Sequence, residues 1–121
     1  MATARQFRLL DMLDEPTANL SYGKQRLLEI AIAIACKPRL LLLDEPAAGV
    51  SENDRDELLR TIAELPQDVT VLLIEHDMDL VFRFAARISV LVNGAVLTEG
   101  TPEEVARDAR VRAVYLGESA Q

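Results

Sequence analysis

Four consecutive leucines, Leu40 to Leu43, lie between Lys37-Pro38 on one side and Asp44-Glu45-Pro46 on the other. A run this short between breakers is no helix, and with no polar face to turn to water it is predicted as a buried β-strand. Val69 to Ile74 has the same character. Between the two runs, Ser51-Glu52-Asn53-Asp54 has the form of a capping box with an acidic residue at its last position. It opens a helix that reaches about Leu65 before Pro66. Two apolar strands joined by such a helix make a βαβ unit, which implies parallel pairing and a right-handed crossover. In sheets of this kind the loops at the carboxyl ends of the strands carry the chemistry.

The rest of the chain continues the alternation. Ala4 to Leu13, with apolar Phe7, Leu9, Leu10 and Leu13, suits a short helix closed by Asp14-Glu15-Pro16. Ser21 to Cys36 has helical length and ends at Lys37-Pro38. Further on, Asp77 to Ala86 is predicted as a short helix and Ile88 to Val92 as a third strand. Asn93-Gly94 is a tight turn into Ala95 to Thr98. Thr101-Pro102-Glu103-Glu104 combines an N-cap, a first-position proline and a third-position glutamate, and short helices finish the chain. The predicted architecture is α/β: a mostly parallel sheet flanked by helices, with a terminal β-hairpin.

Composition narrows the function classes. A formal charge of −7 with a pI near 4.7 argues against a general nucleic-acid binder, because phosphates repel such a surface. Cys36 is the only cysteine, so no internal disulfide forms, and it is expected to pack as a small hydrophobe. The longest uninterrupted apolar stretch, Ile30 to Cys36, falls far short of the roughly 20 residues a membrane span needs. The amino terminus has no secretory core, so the expectation is a cytoplasmic protein without direct membrane insertion, whose membrane role runs through a partner.

The tetrapeptide Leu-Asp-Glu-Pro occurs twice. At Leu43 to Pro46 it follows the leucine strand, so Asp44 and Glu45 emerge at a sheet edge, where a Mg²⁺ ligand and a water-orienting carboxylate belong. At Leu13 to Pro16 it follows a helical pattern, and those acids are expected to cap or leave a helix in solvent. Taken alone, a strand ending in two solvated acids explains Asp44 and Glu45 equally well. Upstream, Leu20-Ser21-Tyr22-Gly23-Lys24-Gln25-Arg26 places a hydroxyl, a glycine and backbone N–H groups at a helix amino terminus. That is a ready anion site, although a serine there also serves as a plain cap. Downstream, Glu75-His76-Asp77 follows the second strand, so His76, the only histidine, lies at a strand carboxyl end. It could donate to a phosphate oxygen or serve in the turn.

In this order and spacing, the three elements resemble the ABC ATPase family over nearly the whole chain. Leu20 to Gln25 looks like its signature, Leu40 to Glu45 like its Walker B strand with the catalytic glutamate, and Ile74 to Asp77 like its switch-histidine segment. The pattern is similar to the ATP-binding subunits of branched-chain amino acid importers through Leu20-Ser21-Tyr22-Gly23, Glu45-Pro46-Ala47-Ala48-Gly49, Glu75-His76-Asp77-Met78 and the ending Tyr115-Leu116-Gly117-Glu118. The resemblance implies a P-loop NTPase-like fold, with ATP and Mg²⁺ as cofactors. Residues 1–37 would be the end of the helical subdomain with the signature helix, and residues 38–121 the carboxyl-terminal part of the catalytic RecA-like subdomain. Ser21, Gly23 and Lys24 would meet an ATP held mainly by a second ATPase subunit, in a homo- or heterodimer. Asp44 would help hold Mg²⁺ through water, Glu45 would position or deprotonate the attacking water, and His76 would sense the γ-phosphate. Transmembrane permease subunits would be the further partners, holding the protein at the inner face of the membrane.

Departures from the family pattern limit the reading. Tyr22 stands for the first signature glycine, Lys24 for the usual glutamine, and Ser51 for the aspartate of the D-loop, Ala47 to Glu52. A Walker A loop needs Gly, four residues, then Gly-Lys-Ser/Thr, and the only Gly-Lys is Gly23-Lys24, followed by Gln25. Neither Gln6 nor Gln67 lies in a Q-loop context. About half of a nucleotide-binding domain is therefore expected, one with negligible ATPase activity alone. The alternative is a non-catalytic module that dimerises with an intact ABC subunit and lends it only the signature face.

Overall fold

The structure, a computed structural model, describes residues 2–115. By internal packing the chain divides into two units, Met1–Ile74 and Glu75–Gln121.

The first unit opens with helix α1 (Ala2–Gln6), which stops earlier than the sequence pattern predicts. Phe7 is 0% and Leu9 5% exposed. Two residues apart on a helix they would face opposite sides, so burying both requires the chain to turn between them. Arg8 makes that turn at φ 56°, with Leu9 N–H donating to Ala4 C=O and Arg8 N–H to Arg5 C=O. This is a Schellman ending with arginine where glycine is usual. Two single turns of 3₁₀ helix, Leu10–Met12 and Thr17–Asn19, follow, with the first Asp-Glu-Pro exposed between them.

Helix α2 (Tyr22–Ala35) is capped by Ser21, whose Oγ accepts from Lys24 N–H, and it buries Gly23, Leu27, Ile30 and Ala31. It ends through Lys37 at φ 54°, whose N–H donates to Ile34 C=O. Cys36 lies exposed beyond this end with its thiol against Ile32 C=O, which corrects the expectation of a packed cysteine: the chain turns away before the residue reaches the core. Strand β1 (Leu40–Asp44), helix α3 (Glu52–Ala63) and strand β2 (Thr70–Ile74) form the predicted βαβ unit. The strands pair in parallel, with Leu42 opposite Leu72 and Asp44 opposite Ile74. Helix α2 packs against α1 and α3. Leu27 and Leu58 are fully buried, and the buried Thr61 satisfies its hydroxyl on Glu57 C=O at 2.8 Å.

These strands are not the doubly buried ones expected. Leu41 is 7% exposed, whereas Leu40, Leu42, Leu72 and Ile74 are 54%, 65%, 56% and 57% exposed. Alternate residues of a strand face opposite sides, so one face of the pair is covered and the other is not. Burial on both faces requires a layer on each, and within the first unit only one face of the pair is covered.

In the second unit, helix α4 (Met78–Phe84) is capped by Asp77, and strands β3 (Ile88–Val92) and β4 (Ala95–Gly100) form an antiparallel hairpin. Its turn has Asn93 at φ 49° and Gly94 at φ 78°, the twist that suits a two-residue connection. The strands of the described chain thus divide into one parallel and one antiparallel pair. Helix α5 (Pro102–Arg107) opens with a complete capping box: Thr101 Oγ1 accepts from Glu104 N–H while Glu104 Oε2 accepts from Thr101 N–H. Helix α6 (Ala109–Tyr115) closes the described chain, with Tyr115 Oη donating to Leu91 C=O at 2.8 Å. The core gathers Ile88, Val90, Val105 and Val111. The remaining motif residues Leu116 to Glu118 lie outside the described residues.

Candidate nucleotide site

The acidic pair sits where β1 ends. Asp44 closes the parallel ladder opposite Ile74, on the uncovered face, and is exposed. Glu45 N–H continues the ladder by donating to Ile74 C=O at 2.8 Å, while its own C=O accepts from Ala48 N–H at 3.1 Å. Between these two bonds Glu45 takes φ 43°, a left-handed conformation uncommon for a side chain other than Gly, Asn or Asp. The bonds on either side hold it there. Asp44 thus ends the extended ladder, and Glu45, the next residue, stands just beyond it in a left-handed conformation. A groove of about 340 Å³ between α2 and β1, with Arg26, Ile30 and Leu42 in its wall, reaches Asp44 and Pro46.

The glycine turn sits at the start of α2. Ser21 Oγ donates to Asp54 Oδ2 at 2.8 Å and accepts from Lys24 N–H at 3.2 Å. Gly23 is buried because Asp54 lies against it: a Cβ at position 23 would stand 2.4 Å from Asp54 Cβ. Lys24 Nζ pairs with Glu57 Oε2 at 2.7 Å, with side chains only 14% and 22% exposed. The cation predicted to reach a phosphate is thus already neutralised. Gln25 Nε2 donates to the Thr17 and Leu20 carbonyls, both at 3.2 Å, and ties the turn to the segment before it. Tyr22 lies over the next loop, 3.6 Å from where a Cβ of Gly49 would be, with the Arg26 guanidinium 5.1 Å from its ring centre. Gly49 is at φ 73°, so that loop needs glycine for its backbone as well. Ser51, the D-loop departure, caps α3 by accepting from Asp54 N–H.

His76 belongs to the second unit, exposed in the bend between β2 and the Asp77 cap of α4. Sequence reasoning missed Asp54 and Glu57 as members of the glycine turn. Their one signal was spacing: three apart on α3, they share a helix face.

The signature-like helix start and the parallel strand ending in Asp-Glu carry the resemblance to an ATP-binding cassette. The comparisons agree: residues 2–48 match the ABC transporter family, and residues 95–121 match the branched-chain amino acid ATP-binding cassette transporter family. The chain belongs to the ATP-binding cassette family of ABC transporters. It is 44% identical over 116 residues to the high-affinity branched-chain amino acid transport ATP-binding protein BraF of Pseudomonas aeruginosa, covering 94% of this chain and 46% of BraF. To the LivG protein of the same description from Escherichia coli K12 it is 45% identical over 113 residues, covering 92% of this chain and 44% of LivG. Among solved structures, the ADP conformation of MJ1267, an ATP-binding cassette of an ABC transporter, superposes with a TM-score of 0.83 at 30% identity, over 97% of this chain and 48% of MJ1267. The cbiO1 protein of Clostridium perfringens, part of the cbiONQ transporter complex, gives 0.80 at 28% identity, over 97% of this chain and 48% of that protein. The chain spans about half the length of the curated relatives it matches.

Proposed function

We propose that this chain is the signature-bearing and hydrolytic part of an ATP-binding subunit that energises branched-chain amino acid uptake by an ABC importer. The observation that carries the reading is Asp44-Glu45 at the carboxyl end of a parallel strand, on a chain 44% identical to BraF. Residues 1–37 would complete the helical subdomain and residues 38–121 the catalytic one. No helix among the described residues is long and apolar enough to cross a membrane, and in this reading permease subunits hold the protein at the inner face.

The acids fit Mg²⁺ bound together with a nucleotide. Among the described residues no group of three or more His, Cys, Asp or Glu could hold a metal by itself. Mg²⁺ in phosphate sites takes one or two carboxylates and fills its shell with water and phosphate oxygens. Asp44 supplies such a carboxylate, directly or through water, and the ion when bound neutralises charge on the phosphates. Glu45 orients the attacking water and takes its proton. His76 donates to a γ-phosphate oxygen. Ser21 Oγ–H and the amide of Gly23 cap the γ-phosphate of the ATP held by a second subunit, and Lys24 adds charge there only by leaving Glu57.

The test uses the complete cassette, in which this chain follows the half bearing the phosphate-binding loop. Glu45→Gln is expected to lower turnover by at least about a hundredfold while ATP affinity stays within about twofold, because the carboxylate acts on water and not on nucleotide capture. Near-normal hydrolysis would remove Glu45 from the reaction. His76→Ala is expected to slow turnover as well, and an unchanged rate would leave His76 a turn residue.

A further inference from the structure

Helix α3 turns two acids of its first two turns onto the glycine turn of α2. Asp54 takes the Ser21 hydroxyl at 2.8 Å and Glu57 the Lys24 ammonium at 2.7 Å. A serine hydroxyl has one hydrogen to give. Ser21 cannot therefore donate to Asp54 and to a phosphate at the same time. Gly23 is packed against the Asp54 side chain, so the carboxylate lies directly at the turn.

We propose that Asp54 is a positioning residue that competes with the γ-phosphate for the Ser21 hydroxyl, and so sets the ATP concentration at which two subunits close on their nucleotides. The proposal rests on the reading that Ser21 meets the partner subunit's ATP. Asp54 holds the hydroxyl in a fixed direction, and a phosphate receives it only in exchange. Glu57 holds the Lys24 ammonium in the same way, so these two side-chain donors reach an anion only when the carboxylates release them.

The experiment measures dimer formation by the complete cassette, by sedimentation velocity, against a non-hydrolysable ATP analogue with Mg²⁺. Asp54→Asn keeps the shape and removes the charge, and is expected to lower the half-saturating analogue concentration about three- to tenfold. Ser21→Ala is expected to raise it about tenfold, and adding Asp54→Asn to Ser21→Ala is expected to change nothing further. Asp54→Ala serves as a second variant, with thermal unfolding confirming that each is folded. If loss of the charge weakens dimerisation or leaves it unchanged, Asp54 is only a structural anchor and the proposal fails. The proposal also fails if the gain persists in the Ser21→Ala background, since the effect is then one of general charge. If Ser21→Ala itself changes nothing, the underlying reading of Ser21 falls instead.

Discussion

At the scale of single residues, the site depends on two backbone positions that the structure fixes for different reasons. Glu45 keeps a left-handed φ of 43° because both of its peptide groups are bonded, to Ile74 and to Ala48. Gly23 has no unusual torsion, and its constraint is space. A methyl group there would stand 2.4 Å from Asp54 Cβ and 2.8 Å from Asp54 Oδ2. Side-chain rotation does not move a Cβ, so α3 itself would have to shift. Gly23→Ala is therefore expected to destabilise the chain by about 1–3 kcal/mol, the usual range for overpacking. Urea unfolding measures this, and a change below about 0.5 kcal/mol would show that α3 is free to yield.

At the scale of elements, helix ends and turns carry most of the information written in the sequence. Ser21, Ser51, Asp77 and Thr101 each cap a helix through a side-chain oxygen. Thr101→Ala removes one arm of the capping box and is expected to lower stability by about 1 kcal/mol, read from thermal unfolding. At the next helix, Asp108 accepts from the Arg110 guanidinium and from its backbone N–H, and these bonds hold its carboxyl well below the usual carboxylate range. A carboxyl depressed in the folded state contributes stability that is full above its unfolded value, near 4, and is lost as pH falls toward the folded one. The stability of the protein is thus expected to decline below about pH 4. Asp108→Asn should flatten that part of the acid profile, and an unaltered profile would mean the contact is not kept in solution.

At the scale of the whole molecule, the uncovered face of the parallel pair has the largest consequence. Leu40, Leu42, Leu72 and Ile74 form an exposed apolar patch of a kind that usually marks a surface to be covered. With the chain spanning about half the length of its curated relatives, the covering layer is expected from the other half. Leu42→Ser should then cost about 2 kcal/mol in the complete cassette and less than about 0.5 kcal/mol in this chain alone, measured by denaturant unfolding of both. Equal effects would mean that nothing covers the face.

The sequence by itself determined what is local. Breakers and caps place the helices, Asn93-Gly94 sets the hairpin turn, and short apolar runs joined by a helix force a parallel pair, because each of these rests on a few neighbouring residues. It also placed Asp44 and Glu45 at a strand end, since that position follows from where the leucines stop. Tertiary structure decided whatever depends on residues far apart in the chain. The exposure of Cys36, the break at Arg8 and the bare strand face depend on where the chain turns and on what packs against it, which neighbouring residues do not fix. The hold of Asp54 on Ser21 arises only because α3 packs on α2, bringing together groups 33 positions apart that no periodicity connects.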